Sequence, residues 1–289
     1  MSGILTSVTL SVVIITHNEE ANIGRTLLSV QPLVSDGKGE IIIVDSGSTD
    51  RTVEIAELLG ARVFVEEWKG YAAQKNSAIA KARGDWILSL DADESLESGL
   101  AGEIFAATHG RLDSDSMTGN SLEVEVIATK ESPQRGEDVS TVGFWIPRKN
   151  FFLGRWIEHG GFWPDRKLRL FRPAAGKFED RTVHEDVNVS GSTRRLRGAL
   201  LHHSYPTLTD YLDHMNRYSS LGAEMITAKR RVRFSAFNIV VRPAATFIYN
   251  YILRLGFLDG REGLLLHLYH AAYVSWKYAK TWELQNKSK

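Results

Sequence analysis

The 289-residue chain contains no cysteine. That excludes disulfides, thiolate metal sites and a cysteine nucleophile together, and it fits a reducing compartment. A secretory leader is not expected: the apolar run from Val8 to Ile15 is too short for a leader core with its flanks and reads as a first strand. Excess charge of one sign is missing, since 35 Lys and Arg face 35 Asp and Glu, and no nucleic-acid partner is expected. Glycine is scarce in THNEEANIG, the stretch after the first strand, which argues against a Gly-rich phosphate loop there. No internal repeat is visible.

What is present suits a globular protein: 43% of residues are hydrophobic and 24% charged, enough for one large or two small domains. The charge is unevenly placed. Residues 1–140 hold 11 Lys and Arg against 23 Asp and Glu, and residues 141–289 hold 24 against 12. An acidic first half suits a cation, and a basic second half suits phosphates or an anionic membrane; two solvated faces that happen to differ is the plainer account.

The first hundred residues alternate between strand and helix patterns. LSVVIITH, EIIIVDSGSTD, ARVFVEE and DWILSLDAD read as strands. Between them lie helical stretches over 19–30, Arg51 to Leu59 (capped by Asp50) and 71–82. This spacing means right-handed βαβ units and a parallel sheet. Residues 111–140 are polar and turn-rich around one short strand, SLEVEVIA; residues 141–200 add the strands VGFWIP and KLRLF, and the pattern is helical from Thr207 onward. The expected division is a catalytic α/β domain over 1–206 and a helical region over 207–289.

In an open parallel sheet, ligands sit beyond the carboxyl ends of the strands. Four polar clusters fall there: Thr16-His17-Asn18-Glu19, Asp45-Ser46-Gly47-Ser48, Asp91-Ala92-Asp93, and Gln74-Lys75-Asn76 near a helix start. Caps and turns explain any one of them, but four on one rim are harder to explain so. Asp91 and Asp93 flank a single residue and can share a hard divalent cation with phosphate oxygens, which would cancel their repulsion. The oxygen donors, with one imidazole at most, favour Mg²⁺ or Mn²⁺. Arg166 and Arg169, in WPDRKLRLF, are assigned to one strand face, where guanidinium forks would meet a pyrophosphate or anionic acceptor. Ordinary strand-edge arginines are the competing account.

Taken together, SVVIITHNEEANI, EIIIVDSGSTDRT, the QKN helix and LSLDADE resemble a family 2 glycosyltransferase of the GT-A fold, most closely over residues 8–100. Downstream, GFWIPRKNFFLGRWIEHGGFWPDRKLRLFRP, TVHEDVNVSG and LLHHSYPTLTDYLDHMNRYS resemble the branch with lipopolysaccharide core β-1,4-glucosyltransferases. The resemblance implies a Rossmann-like, mainly parallel sheet flanked by helices, with a helical C-terminal extension. It also implies transfer of a hexose, glucose in that branch, from a UDP-sugar to a glycan or lipid-linked acceptor with inversion. At matching positions Thr16, Asn18, Glu19, Asp45 and Ser46 would line the nucleoside pocket, with Lys75 nearby. Asp91 would help place the ribose or sugar, and Asp93 would bind the metal.

Such a transfer needs a base that takes the acceptor hydroxyl's proton. By position in the family pattern Glu185 is the choice and Asp186 the second, with a solvated acid beside Arg181 as the plain alternative. His202, in LLHHSY, matches the place of a late metal ligand in the family, and a core or capping histidine stands beside that reading. Trp156, His159 and Trp163 suit an acceptor sugar's apolar face, or core packing.

In the tail, KRRVRF precedes a stretch from Phe234 to Leu253 in which Arg242 is the only charge. Arg242, Pro243, Asn238 and Asn250 make a spanning helix costly, so a helix lying in the interface of the cytoplasmic membrane is expected. Tyr269, Tyr273, Trp276, Tyr278 and Trp282 are assigned to headgroup depth. Packing on the catalytic domain, or on a second subunit in an oligomer, is the alternative. Two rivals to the enzyme reading remain: a nucleotidyltransferase, against which the glycine-poor THNEEANIG counts, and a non-catalytic sugar-nucleotide or lipid-binding protein.

Overall fold

The computed structural model describes residues 8–110, 141–179, 187–229 and 232–287. Twelve strands and seven α-helices occur among the described residues. The first half runs β1 (Leu10–Thr16), α1 (Ile23–Val34), β2 (Gly39–Asp45), α2 (Thr52–Leu58), β3 (Arg62–Val65), α3 (Tyr71–Lys81), β4 (Trp86–Asp91), β5 (Glu94–Leu96) and α4 (Leu100–Thr108). The remaining strands are β6 (Thr141–Phe152), β7 (Arg155–Trp156), β8 (Asp165–Phe171), β9 (Gly176–Phe178), β10 (Val187–Val189), β11 (Ser192–Arg195) and β12 (Leu200–Tyr205). Then come α5 (Leu208–Lys229), a π-helical turn Phe237–Val241, α6 (Arg242–Phe247), a second π-helical stretch Ile248–Leu253, a 3-10 turn Gly256–Asp259 and α7 (Gly260–Lys287). The expected strand SLEVEVIA lies outside the described residues.

The main sheet has the order β3-β2-β1-β4-β8-β6-β12-β5. Its first four strands are parallel, and β8 is the first to run against them. Strands that pack helices on both faces need apolar side chains at every position. In β1, Leu10, Val12 and Ile14 face a cluster containing Ile23, Leu27 and Val30 of α1 and Ile104 of α4. Val13, on the opposite face, joins Ala72 and Ala78 of α3. The same alternation splits Ile41 and Ile43 of β2 from Ile42 and Val44. This is the mixed, mostly parallel sheet flanked by helices that the alternating pattern led us to expect.

One expected element differs. The helix assigned to 19–30 begins at Ile23 and continues to Val34. Glu19 and Glu20 are drawn instead into hydrogen bonds with the loop after β2: the Glu19 amide donates to Thr52 Oγ1 (2.7 Å) and the Glu20 amide to Asp50 Oδ2 (3.1 Å).

The chain forms two compact units. Unit one holds residues 1–148 and 166–201, and unit two holds 149–165 and 202–289, which includes all of the helical region after Thr207. Unit two has its own core, with Phe152, Ile157, Tyr211 and Leu266 buried. Among the described residues no helix is long and apolar enough to cross a membrane.

Candidate active site

Parallel register brings the first rim residues together: Thr16 lies opposite Asp45 and Ile15 opposite Asp91. Asp45 is wholly buried. Its carboxylate accepts from Thr16 Oγ1 (2.8 Å), the amides of Gly47 (2.9 Å) and Ser48 (2.7 Å), and the Ser48 hydroxyl. Gly47 has a φ of +82°, a conformation that glycine adopts at low cost in so tight a turn. A direct contact between Asp45 and a bound base or ribose would require one of these bonds to be given up, so Asp45 first of all shapes the loop.

That loop is laced to the one after β1. The Asn18 amide donates to Ser48 Oγ (2.8 Å), the Thr49 amide to Asn18 Oδ1 (2.8 Å), and the Arg51 amide to Glu20 Oε2 (3.0 Å). Ser46 joins α3 to the same rim, because Gln74 Nε2 donates to its hydroxyl (3.2 Å). Gln74 is fully buried, and its Oε1 has no partner among the described residues.

Beyond β4 the carboxylates separate into two environments. Asp91 is held on both oxygens by cationic side chains, with Lys75 Nζ 2.8 Å from Oδ1 and the Arg169 guanidinium on Oδ2. Glu94, wholly buried, receives Arg169 (2.6 Å) and Arg148 (3.0 Å) on Oε1. Burial would push the Asp91 carboxyl up, but Arg169 first and Lys75 next hold it well below the usual carboxylate range. Arg169 is correspondingly held charged despite its burial by Asp91 and Glu94. Asp93 is half-buried. Its neighbour Glu19 has a raised pKa, first through burial and then, against an Asn22 hydrogen bond, through the charges of Asp93, Asp50 and Asp91.

The sequence model of the family described as "Glycosyl transferase family 2" matches residues 11–167, which take in the rim residues named above except Arg169. The chain belongs to glycosyltransferase family 2. An uncharacterized glycosyltransferase of Rickettsia typhi is 30% identical over 292 residues, covering 97% of this chain and 89% of the relative. The lipopolysaccharide core biosynthesis glycosyltransferase LpsC of Rhizobium meliloti is 27% identical over 282 residues, covering 95% of this chain and 92% of that one. Among solved structures, residues 1–349 of Staphylococcus aureus TarS in complex with UDP align at a TM-score of 0.46 and 16% identity, covering 97% of this chain and 92% of that one.

Within this family 2 chain three sequence expectations need correction. Arg166 and Arg169 do not share a strand face: three positions apart in β8 they fall on opposite sides, Arg166 exposed and Arg169 buried. Arg169 consequently meets Asp91 and Glu94, and the outward-facing Arg166 has no place in that cluster. The second concerns Asp91 as a metal ligand shared with Asp93. Both of its oxygens are already occupied by Lys75 and Arg169, so the repulsion of the acidic run is balanced there by side-chain cations. The third concerns the last helix: Tyr278 is buried and Tyr269, Tyr273 and Trp276 are partly buried, leaving Trp282 as the exposed member of that aromatic series.

The other assigned residues fall elsewhere. Glu185 and Asp186 lie outside the described residues. His202 belongs to unit two, where its Nδ1 lies 2.7 Å from Asn150 Oδ1 and 3.1 Å from Ser204 Oγ. Trp156 and Trp163 also belong to unit two and pack edge to face, 5.4 Å between centroids, while His159 Nδ1 pairs with Asp259 Oδ1 at 2.9 Å. Among the described residues no three His, Asp or Glu side chains form a group able to hold a metal ion. Mg²⁺ commonly binds through one carboxylate and a phosphate chain, with water completing its shell. The carboxylates of Glu19, Asp50, Asp91 and Asp93, close enough together to raise the Glu19 pKa, suit such an ion. Sequence reasoning saw Glu94 as part of the acidic run but gave it no role, and it passed over Arg148, whose only signal was a charge next to a strand-like apolar run.

Proposed function

We propose that this family 2 glycosyltransferase moves a hexose, glucose in the reading we favour, from a UDP-sugar to a lipopolysaccharide-type or other lipid-linked glycan acceptor, with inversion. The observation that carries the donor half is the rim itself. Two loops are stitched into one wall around Asp45, and a further carboxylate, Asp93, stands at the same rim near enough to Glu19 to help raise its pKa. Thr16, Asn18, Glu19 and Ser46 line the nucleoside side of that wall. Lys75 and Arg169 fix Asp91 in one orientation, and Asp91 then accepts from the ribose or sugar through whichever lone pairs the two cations leave.

Asp93 would hold a Mg²⁺ or Mn²⁺ ion, with His202 a further ligand in the family pattern. When bound, the ion supplies electrostatic stabilisation of the departing diphosphate. Glu185 is assigned as the base on the strength of the family pattern, with Asp186 second. It accepts the acceptor hydroxyl's proton as that oxygen bonds to the anomeric carbon and the bond to the β-phosphate oxygen breaks, releasing UDP. The similarity to LpsC, across nearly the whole of both chains, supports a lipopolysaccharide core acceptor.

The test is turnover of UDP-glucose with purified, outer-sugar-deficient lipopolysaccharide core and Mn²⁺, with free UDP and pyrophosphate measured separately. Release of UDP with a product heavier by one hexose is expected, falling by on the order of 10²-fold or more in Glu185→Gln. Pyrophosphate release would favour a nucleotidyltransferase, and turnover untouched in Glu185→Gln would remove the assigned base.

A further inference from the structure

We infer that the helical segment from Phe234 to Leu258 in unit two is a surface that seats on an anionic lipid bilayer, lying in the headgroup region without crossing it. Exposed apolar side chains are ordinary when scattered, but a concentrated patch marks a contact surface. Of the 21 large hydrophobic residues exposed among the described residues, 11 fall within this segment. Leu253 is 67% exposed, Val240 61% and Phe237 55%.

The exposure follows a helical period. Phe237, Val240, Val241, Ile248, Ile252 and Leu253 are exposed, whereas Ile239, Pro243, Phe247 and Tyr251 between them are buried or half-buried. One side therefore packs on the rest of unit two, and the other is mainly apolar, with the Tyr249 ring, Arg242 and Arg254 as its exposed polar members.

Several polar groups of the segment are bonded within unit two, and Arg242 itself is exposed. Arg242, its sole charge from Phe234 to Leu253, donates to Tyr278 Oη on α7 (2.9 Å) and stacks on the Tyr278 and Phe237 rings. Pro243 has no N–H to offer the preceding turn, and the Ile239 carbonyl accepts from Ser275 Oγ of α7 at 2.9 Å instead. Thr246 Oγ1 donates to the Arg242 carbonyl (2.9 Å). With the Ile239 carbonyl bonded to Ser275 and the exposed Arg242 able to stay at the headgroup level, the apolar side chains can meet hydrocarbon while the charge remains in a polar layer.

Charge selects the occupant. From Met225 to Leu258 the sequence holds six Lys and Arg and no Asp or Glu. Lys229 and Arg233 are exposed before the apolar face, and Arg254 after it. A second copy of the chain seated face to face would bring these cations towards each other. Anionic headgroups are complementary to them, each basic residue near such a surface contributing about 1 kcal/mol. The inference rests on unit two alone and stands apart from the assignment of donor and base.

The experiment is flotation of the full-length protein with vesicles of phosphatidylcholine alone or with 30% phosphatidylglycerol, at low and at about 0.5 M salt. Binding is expected on the anionic vesicles, weakening at high salt, and at least about tenfold weaker on the neutral ones. Ile248→Ser with Leu253→Ser, both at exposed positions, should reduce anionic-vesicle binding at least about tenfold with the circular dichroism melt unchanged. Lys229→Gln with Arg233→Gln should remove most of the preference for anionic lipid. Equal binding by wild type and both double variants would overturn the inference. So would absence of vesicle binding, including when sedimentation shows a dimer that Ile248→Ser with Leu253→Ser dissolves, which would give the face to a second copy. UDP release from the donor reports separately on the transferase reading.

Discussion

The rim of unit one and the helical segment of unit two handle polarity in opposite ways. At the rim, two carboxylates and three cations are buried or half-buried together and pair opposite charges: Lys75 with Asp91, Arg169 with Asp91 and Glu94, Arg148 with Glu94. In unit two the apolar side chains face outward, while a buried histidine, His267, has no hydrogen-bond partner on either ring nitrogen among the described residues. The first arrangement fixes geometry for a charged ligand. The second leaves apolar surface outside and an unsatisfied base inside. Buried charge is tolerated only where it is paired, and exposed hydrocarbon persists only where something covers it.

The sharpest way to break this contrast is to remove the cation that ties the rim. Arg169→Leu leaves Glu94 and Asp91 short of a partner, and roughly 3–5 kcal/mol of stability should be lost in a urea titration, because one half of a buried charge network is left uncompensated. A loss below about 1 kcal/mol would mean that water or Arg148 and Lys75 already satisfy the site.

The next effect is smaller and lies in unit two. Burial first, and His270 second, lower the His267 pKa from 6.5 to about 4. A histidine whose folded-state value is depressed binds its proton in the unfolded chain first, so stability is intact above pH 6.5 and falls as the pH drops towards 4. The stability difference between wild type and His267→Leu should therefore shift by roughly 3 kcal/mol between pH 7 and pH 4, in favour of the variant at low pH. An unchanged difference across that range would show that His267 is hydrated.

The smallest expected change sharpens the account of the apolar segment. Ser275→Ala leaves the Ile239 carbonyl without its donor and should cost about 1 kcal/mol in thermal unfolding. No cost would mean that the carbonyl finds water, and that this turn sits in a wetter place than its apolar outer face suggests.

The sequence discloses the rim more fully than the rest for a physical reason. β1, β2 and β4 are buried on both faces and read as continuous apolar runs, and each run ends where its chemistry begins, at Thr16, Asp45 and Asp91. The partners that balance those groups are not legible in that way. Arg169 meets Glu94 across 75 positions of sequence, and nothing local marks the pairing. Parity along β8 separates it from Arg166, but Leu168, Arg169 and Leu170 are all buried, so its inward direction is not read from alternation. The start of α1 shifted for a similar reason: Glu19 and Glu20 match a helical pattern locally, but a loop 30 residues later takes their amides. In the tail, the apolar stretch and its single arginine were legible, whereas the bond of Arg242 to Tyr278 depends on α7.

The central claim is that a nucleoside diphosphate and a divalent ion meet at Asp93, beside the wall built on Asp45. Calorimetric titration of UDP into wild type and Asp93→Asn, each with Mn²⁺ and with EDTA, tests it directly. The account predicts UDP binding to wild type with Mn²⁺, weakened at least about tenfold by EDTA or by Asp93→Asn, with no further loss when the two are combined. UDP affinity that is the same in all four titrations, or no UDP binding to the folded wild-type protein, would contradict it.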